Sequence, residues 1–402
     1  MVIVPKILRN VSLTAHPKGC ELSVRNQIDW VRQQLEQHSD TRYQLPHTNF
    51  FPKKVLIVGG STGYGLASRI VAACVGKADT INVSVEREPS ETKTATPGWY
   101  NTTVFERYAK THGLKAVSVL KDAYAKTTKA EVASLIAKHF GTIDLLIYSL
   151  ASPARTDSSG TTYRSVIKPI GNQYGALSVD VTTGMVSKVI VEPADQSQIE
   201  ETVKVMGGED WNDWITYLLQ CNLLSDGFKT VSYSYIGPEL TYPIYRSGTI
   251  GKAKEDLENS ARLLNETLQS VNGSAYVSVN KALVTRASAV IPVVPLYIAL
   301  LYRVMKDLNL HEECIHQIYR LFSERLYTGT SIPLDEKGRI RIDDWEMSDS
   351  VQQAVHLLWS AQSEGQAIIG GDLEGFITEY AKIHGFGFDE INYSEDIDPR
   401  II

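Results

Sequence analysis

Residues 53–70, Lys53-Lys54-Val55-Leu56-Ile57-Val58-Gly59-Gly60-Ser61-Thr62-Gly63-Tyr64-Gly65-Leu66-Ala67-Ser68-Arg69-Ile70, decide the fold. The first half is a compact apolar run ending in glycines. That pattern belongs to a strand buried on both faces, and such strands sit in parallel sheets. From Leu66 to Val75 the periodicity is helical. Between the two, Gly59, Gly63 and Gly65 spell G-x-x-x-G-x-G. Glycine lets a backbone turn sharply and come close to a pyrophosphate. The helix that follows offers unpaired N–H groups and the positive end of its dipole to the same phosphates. A glycine motif alone is weak evidence; a strand before it and a helix after it give the dinucleotide-binding context.

Working outward, strand and helix alternate. TINVSVE (80–86), Ala116–Leu120, DLLIYSLAS (144–152), KTVSYSYIG (229–237) and SAYVSVNK (274–281) read as strands, with helical stretches at 66–75, 102–111, 128–140 and 252–268. This alternation predicts an α/β fold with a doubly wound parallel Rossmann-type sheet. It breaks once, between Ser152 and Lys229, where 176–191 reads as a hairpin turning at Thr183-Gly184 and 197–206 and 210–222 as helices. An insertion beside the carboxyl ends of the strands is where a substrate lid is built. The expected division is a β element with an amphipathic helix (22–37) over 1–52, a core over 53–330 with its lid at about 153–228, and a mainly helical extension over 331–402.

Composition narrows the function. Of 402 residues 43% are hydrophobic and 21% charged, as in an ordinary globular chain. Net charge is 40 − 46 = −6, which opposes general nucleic-acid binding, since phosphate neutralisation wants clustered Lys and Arg. Cys20, Cys74, Cys221 and Cys314 are far apart with no Cys-x-x-Cys pair, so neither a zinc ribbon nor a disulfide scaffold is expected and a reducing, cytoplasmic setting is. The start MVIVPKILRN is broken by Pro5, Lys6 and Arg9, unlike a secretory signal. The longest charge-free stretch, 287–302, contains Pro292 and Pro295 and as a helix would reach only roughly 24 Å, too short for a membrane span.

Position nominates further residues. Glu86 closes the second strand about 21 residues past Gly65, where an acid accepts from the adenosine ribose hydroxyls and repels a 2′-phosphate. Arg87 beside it pulls the other way. Asp122-Ala123 after the third strand and Ser149-Leu150-Ala151-Ser152 after the fourth occupy the adenine and nicotinamide sides by topology. Tyr245 lies ten residues past Tyr235, which ends the fifth strand, and Lys252 and Lys254 follow. Short-chain dehydrogenases pair a tyrosine with a lysine that binds the nicotinamide ribose and lowers the tyrosine's pKa. Lys252, seven on from Tyr245, shares its face of a regular helix; Lys254, nine on, serves only if Tyr245 precedes the helix. Periodicity leaves both open.

The chain resembles the FabV-type enoyl-acyl-carrier-protein reductases and the related trans-2-enoyl-CoA reductases from end to end. The resemblance rests on TAHPKGC (14–20), GGSTGYGLASRI (59–70), TPGWYN (96–101), DLLIYSLASPARTD (144–157), SVIKPIG (165–171), KVMGGEDW (204–211), SYIGPELTYPIYRSGTIGKAK (234–254), VSVNKALVTRASAVIPV (277–293) and IRIDDWE (340–346). It implies an enlarged short-chain dehydrogenase fold with an elaborated lid, usually monomeric, that reduces a trans-2-enoyl thioester with NADH. The family's Tyr-x8-Lys maps onto Tyr245 and Lys254, and its substrate-contacting tyrosine onto Tyr235. Its NAD contacts map onto Gly59, Gly60, Ser61, Thr62, Gly63, Tyr64, Val85, Glu86, Asp122, Ala123, Leu150, Ala151, Leu283, Val284 and Thr285, together with Lys254. The apolar 287–302 segment is expected to wall the acyl pocket. The C-terminal portion carries a flavin-binding label in some family descriptions, but no local motif supports one. Gly375-Phe376 departs from the Gly-Tyr of many relatives.

Other residues are set aside. His16 and Cys20 are two ligands at most and read as a structural turn, so no metal is expected. His311, Cys314 and His316 read as a helix surface, and Glu209-Asp210 and Asp343-Asp344 as solvated carboxylates or caps. The competing functions are a carbonyl-reducing short-chain dehydrogenase, which the missing Tyr-x-x-x-Lys opposes, and a non-catalytic nucleotide sensor, which has no need of both Tyr245 and Lys254.

Overall fold

The computed structural model describes residues 1–8, 11–39, 50–157, 159–285, 291 and 293–401. Arg286 lies outside them, as do residues 287–290 and Pro292 of the expected acyl-pocket wall. In chain order the elements are a hairpin β1 (Ile7–Leu8) and β2 (Val11–Ser12), α1 (Pro17–Ser39), β3 (Lys54–Val58), α2 (Gly63–Gly76), β4 (Asp79–Val83), α3 (Pro97–Thr111), β5 (Ala116–Val119), α4 (Lys126–His139) and β6 (Ile143–Tyr148). Two hairpins follow, β7 (Ala154–Thr156) with β8 (Thr162–Arg164) and β9 (Tyr174–Val179) with β10 (Val186–Val191), then α5 (Gln196–Met206) and α6 (Glu209–Gln220). The chain ends with β11 (Leu224–Ser234), α7 (Thr249–Thr267), β12 (Ser274–Val279), α8 (Val294–Asp307), α9 (Cys314–Leu321), β13 (Ile340–Arg341), α10 (Asp349–Ser360) and α11 (Leu373–Ile383).

Seven strands form one parallel sheet in the order β13-β12-β11-β6-β3-β4-β5. The order runs outward from β3 in both directions, so the switch point lies between β3 and β6, the place where such sheets take their ligands. The continuous apolar runs follow from burial on both faces. Val55 and Ile57 of β3 and Leu145 and Ile147 of β6 pack with α1, α2 and α9, while Leu56, Val58, Leu146 and Tyr148 pack with α4, α6 and α7.

The inserted stretch is not all lid. Trp211 and Trp214 of α6 are fully buried under the sheet, and Trp211 Nε1 donates to Thr230 Oγ1 of β11 at 2.8 Å. β11 starts at Leu224, ahead of the expected Lys229, because its first polar residues bulge: pairing with β6 shifts register between Leu224 and Lys229. Residues 294–302 of the charge-free stretch form the first part of α8 and are buried between α10, α11 and the β9 side of the lid hairpin.

One member of each acid pair read as solvated carboxylates or caps needs correction, while Glu209 and Asp344 are exposed as expected. Asp210 is 2% exposed; Lys129 Nζ of α4 lies 2.6 Å from it and the Tyr148 hydroxyl donates to it at 3.0 Å. Asp343 is buried against Arg341 at 2.7 Å, and Asp344 binds Arg320 and Arg325. Sequence shows a charge but not its partner, and these partners lie far away in the chain or across a turn. Removing one member of a buried ion pair leaves the other charge uncompensated. Asp210→Ala is therefore expected to lower unfolding stability by about 3–5 kcal/mol, to be read from urea denaturation of the two proteins.

Candidate functional site

At the end of β3 the backbone turns through Gly59 at φ +94°, and its N–H donates to Val83 O of β4 at 2.7 Å. A Cβ on Gly59 would stand 2.3 Å from Ser149 O at the end of β6, and one on Gly65 would stand 2.1 Å from Gly59 O. Those contacts set α2 hard against the strand ends. Gly63, at φ +55°, faces open space. The N-cap Thr62 makes no side-chain cap bond and the first turn of α2 carries no acid. An uncapped, acid-free helix entrance beside a glycine with room above it fits a dinucleotide's phosphates.

The loop is braced by groups that sequence reasoning missed. Asn82, inside β4, accepts from Gly60 N–H at 2.8 Å, and Asn101 Nδ2 donates to Ser61 O at 3.1 Å. An amide in the middle of an apolar strand was the available signal for Asn82. Ser61 Oγ donates to Glu86 Oε1 at 2.6 Å. Glu86 packs so closely on Gly98 that a Cβ there would meet Oε1 at 2.1 Å, so this acid is wedged beside the loop and is no loose strand end. The Tyr64 hydroxyl instead points away, within 2.9 Å of Lys281 O and 3.0 Å of Gln317 Oε1. Val85 is exposed, Asp122 is exposed and caps its own turn through Tyr124 N, and Ala123 is buried. Leu150 is half-buried and Ala151 exposed beyond β6. Thr62, Gly63, Leu283, Val284 and Thr285 share the wall of one cavity of about 330 Å³, closed on its far side by α1, α9 and α11.

Tyr245 precedes α7, in a turn where its carbonyl accepts from Gly248 and Gly251 N–H. The regular-helix argument for Lys252 therefore fails at its premise: Lys252 is exposed and paired with Glu255 at 2.9 Å. Lys254 turns inward and its Nζ donates to Tyr233 O at the end of β11, at 3.1 Å. Burial lowers the Lys254 amine from 10.5 to about 8, against the opposing pull of Glu258. The Tyr245 ring meets Tyr235 edge-on, centroids 4.9 Å apart at 80°. Burial pushes the Tyr245 hydroxyl up to about 12, opposite to the lowering that a neighbouring ammonium would produce. Tyr235 donates to Glu346 Oε1 at 3.2 Å; the Tyr245 hydroxyl has no hydrogen-bond partner among the described residues.

The set-aside residues resolve as structure. His16 opens α1, where its Nδ1 accepts from Gly19 N–H, and a Cβ on Gly19 would clash with Gly385 O, so TAHPKGC is shaped by the C-terminal segment. His311, Cys314 and His316, expected on a helix surface, are instead half-buried, and Cys314 and His316 line that cavity. Burial raises the Cys314 thiol and lowers His316 to about 4, and His316 Nδ1 is occupied by Glu313 N–H, so no nucleophile is activated there.

A parallel sheet whose switch point opens onto an uncapped helix, with a protonated tyrosine and a half-buried lysine beyond the neighbouring strand, is the frame of a short-chain-dehydrogenase-type oxidoreductase. Family models give the particular branch: the trans-2-enoyl-CoA reductase catalytic region matches residues 93–327, its NAD(P)H binding domain 2–91, and an enoyl reductase FAD binding domain 334–397. The enoyl-[acyl-carrier-protein] reductase [NADH] of Flavobacterium johnsoniae is 50% identical over 397 residues, 98% of this chain and 97% of that one. The trans-2-enoyl-CoA reductase of Treponema denticola, solved with NAD, is 46% identical over the whole of both chains with a TM-score of 0.95. That of Clostridium acetobutulicum, solved with NADH, is 44% identical over 99% of this chain and 98% of that one, with a TM-score of 0.92. The chain belongs to the trans-2-enoyl-CoA reductase family.

The entrance of α11 does not fit a flavin's phosphates. Gly370-Gly371 precede α11, but Asp372 closes that helix entrance, accepting from Gly375 N–H at 2.8 Å and paired with Lys306 at 2.6 Å. An acid there opposes a phosphate. Phe376, the departure from Gly-Tyr, is buried against α8.

The glycines give a graded prediction. Gly63→Ala meets no atom and bears only the left-handed backbone cost, roughly 1–2 kcal/mol. Gly65→Ala drives a methyl into Gly59 O and is expected to cost clearly more and to displace the loop, as chemical denaturation of the two variants would register.

Proposed function

We propose that this protein reduces the carbon–carbon double bond of trans-2-enoyl thioesters, carried on acyl carrier protein or coenzyme A, to the saturated thioester in fatty acid synthesis, with Tyr245 as proton donor and Lys254 as its anchor. NADH, when bound, supplies the hydride that reaches the β-carbon of the substrate. The Gly59–Tyr64 turn and the first N–H groups of α2 hold the pyrophosphate. Glu86 and Val85 face the adenosine ribose, Asp122 and Ala123 the adenine, and Leu150, Ala151 and the Leu283–Thr285 run the nicotinamide side.

As hydride arrives, negative charge gathers on the thioester oxygen. A hydroxyl already aimed there stabilises that charge most when it is fully formed. The observation that carries this reading is the contrast between two touching tyrosines: the proton of Tyr235 is committed to Glu346, and that of Tyr245 is not. With its pKa near 12, Tyr245 holds its proton at neutral pH and can give it up only to a stronger base such as an enolate. Lys254, tethered to the Tyr233 carbonyl, presents its charge to the nicotinamide ribose. Tyr235 packs on Tyr245 and contacts the substrate. We read the protein as a monomer, as the family resemblance implies, and the four free cysteines support a cytoplasmic setting.

Oxidation of NADH with crotonyl-CoA, followed by nicotinamide absorbance, tests the activity; no turnover with any enoyl thioester overturns it. Tyr245→Phe is expected to lower kcat by about 100–1,000-fold, or ~2.7–4 kcal/mol, with NADH affinity little changed. Tyr235→Phe should be milder. Retention of more than about a third of wild-type kcat by Tyr245→Phe would remove it from the acid role.

Lys254 sets the alkaline limb. Below about 8 its amine is charged, and above that pH it is neutral, so kcat/KM should be level at pH 7 and fall as pH rises through about 8. Lys254→Ala should lose activity and that limb together. Lys252→Ala, which removes only an exposed pair, should keep both.

A further inference from the structure

Glu346 is a carboxylate with no exposed surface, deep in the wall of the site, at the end of the string Ile340-Arg341-Ile342-Asp343-Asp344-Trp345-Glu346. A buried carboxyl is costly unless its oxygens are satisfied. Three donors from three separate elements converge on this one. The Tyr235 hydroxyl, just past β11, reaches Oε1 at 3.2 Å; the Tyr297 hydroxyl of α8 reaches the same oxygen at 2.6 Å; Ala282 N–H, just past β12, reaches Oε2 at 2.7 Å. Gln352 of α10 donates to the Glu346 backbone carbonyl at 2.7 Å, which holds the main chain behind the carboxyl. The carboxylate thus ties together the tyrosine that touches Tyr245, the backbone that opens Leu283-Val284-Thr285, and the helix that backs both tyrosines.

We propose that Glu346 is a positioning residue for the reduction: it holds the Tyr235 hydroxyl and, through the edge-on ring contact, keeps Tyr245 aimed at the substrate. The inference rests on the assignment of Tyr245 as proton donor. A hydroxyl has one proton, and Glu346 uses that of Tyr235. Tyr235 is thereby barred from donating to the thioester oxygen, and the task falls to Tyr245. The T-shaped contact leaves Tyr245 little freedom to swing while Tyr235 is pinned. Lys281, buried beside the site, and Asp343, on the same segment, act on the carboxyl with opposite sign, while burial pushes it above its usual range.

Glu346→Gln tests this. The amide oxygen keeps the Ala282 N–H bond, and the amide nitrogen faces the tyrosines and can no longer accept from them. Turnover should fall by about 10–100-fold while NADH affinity, read by fluorescence, stays within about twofold. The decisive measurement is a double-variant cycle with Tyr235→Phe. If Glu346 acts through the Tyr235 hydroxyl, the double variant should be no worse than the worse single one, to within about threefold. A structural role would instead multiply the two losses and weaken NADH binding as well. Multiplied losses, or kcat of Glu346→Gln within about threefold of wild type, overturn the proposal. If Glu346→Gln does not fold, Glu346→Asp keeps the buried carboxyl but withdraws it from the tyrosines, and the same cycle is run with it. Failure of the underlying assignment is separate: there Tyr245→Phe itself turns over near normally. With Tyr245→Phe inactive and the cycle multiplicative, only the role of Glu346 is lost.

Discussion

The site depends on how closely two glycine backbones approach. Gly65 lies where any side chain would press into the Gly59 carbonyl, and Gly59 lies where any side chain would press into Ser149. This clasp joins the ends of β3 and β6 to the first turn of α2, and with it fixes where the uncapped N–H groups point. The remaining braces take their positions from it. Asn82 holds Gly60, Asn101 holds Ser61, and Ser61 holds Glu86, so the groups proposed for phosphate and ribose form one connected scaffold.

Buried charge does the joining elsewhere. Asp210, Lys129 and Tyr148 lock α6, and with it the root of the inserted stretch, to α4 and β6. Glu258 of α7 meets Arg246 in the tyrosine turn and Arg339 ahead of β13, both at 3.1 Å. The helix that carries Lys254 is thus tied at one residue to the turn that carries Tyr245 and to the C-terminal segment. That segment adds β13 to the sheet edge and places Glu346 against the tyrosines, so it is part of the site's wall. Such pairs add little net stability against apolar packing, but breaking one is expensive, which gives the arrangement its geometric precision.

How much of this was legible in the sequence varies with the range of the interaction. The sheet was readable because its strands are buried on both faces, and that burial leaves runs such as Val55–Val58 and Leu145–Tyr148. The glycine turn was readable because φ near +94° and a 2.1 Å approach admit no other residue. The choice between Lys252 and Lys254 was not readable from periodicity, because it turned on where α7 begins, and the start at Thr249 follows from Gly248 and Gly251 bonding back to the Tyr245 carbonyl. The acids at 210 and 346 read as surface residues or went unremarked, since nothing local announces that Lys129 or Tyr297 will meet them.

By itself, then, the sequence determined the elements whose cause is local: alternating strands and helices, a glycine turn that only glycine can make, and a tyrosine and a lysine at a family spacing. Tertiary structure decided what needs two distant segments at once. It put Trp211 and Trp214 into the core and not into a lid, set Tyr245 ahead of its helix with a hydroxyl that no described residue binds, and brought Glu346 from more than a hundred residues away to accept from the Tyr235 hydroxyl. The physical reason is that a strand pattern records whether a position is buried, whereas a hydrogen bond or ion pair records which partner it is buried against, and that is specified only when the chain has folded.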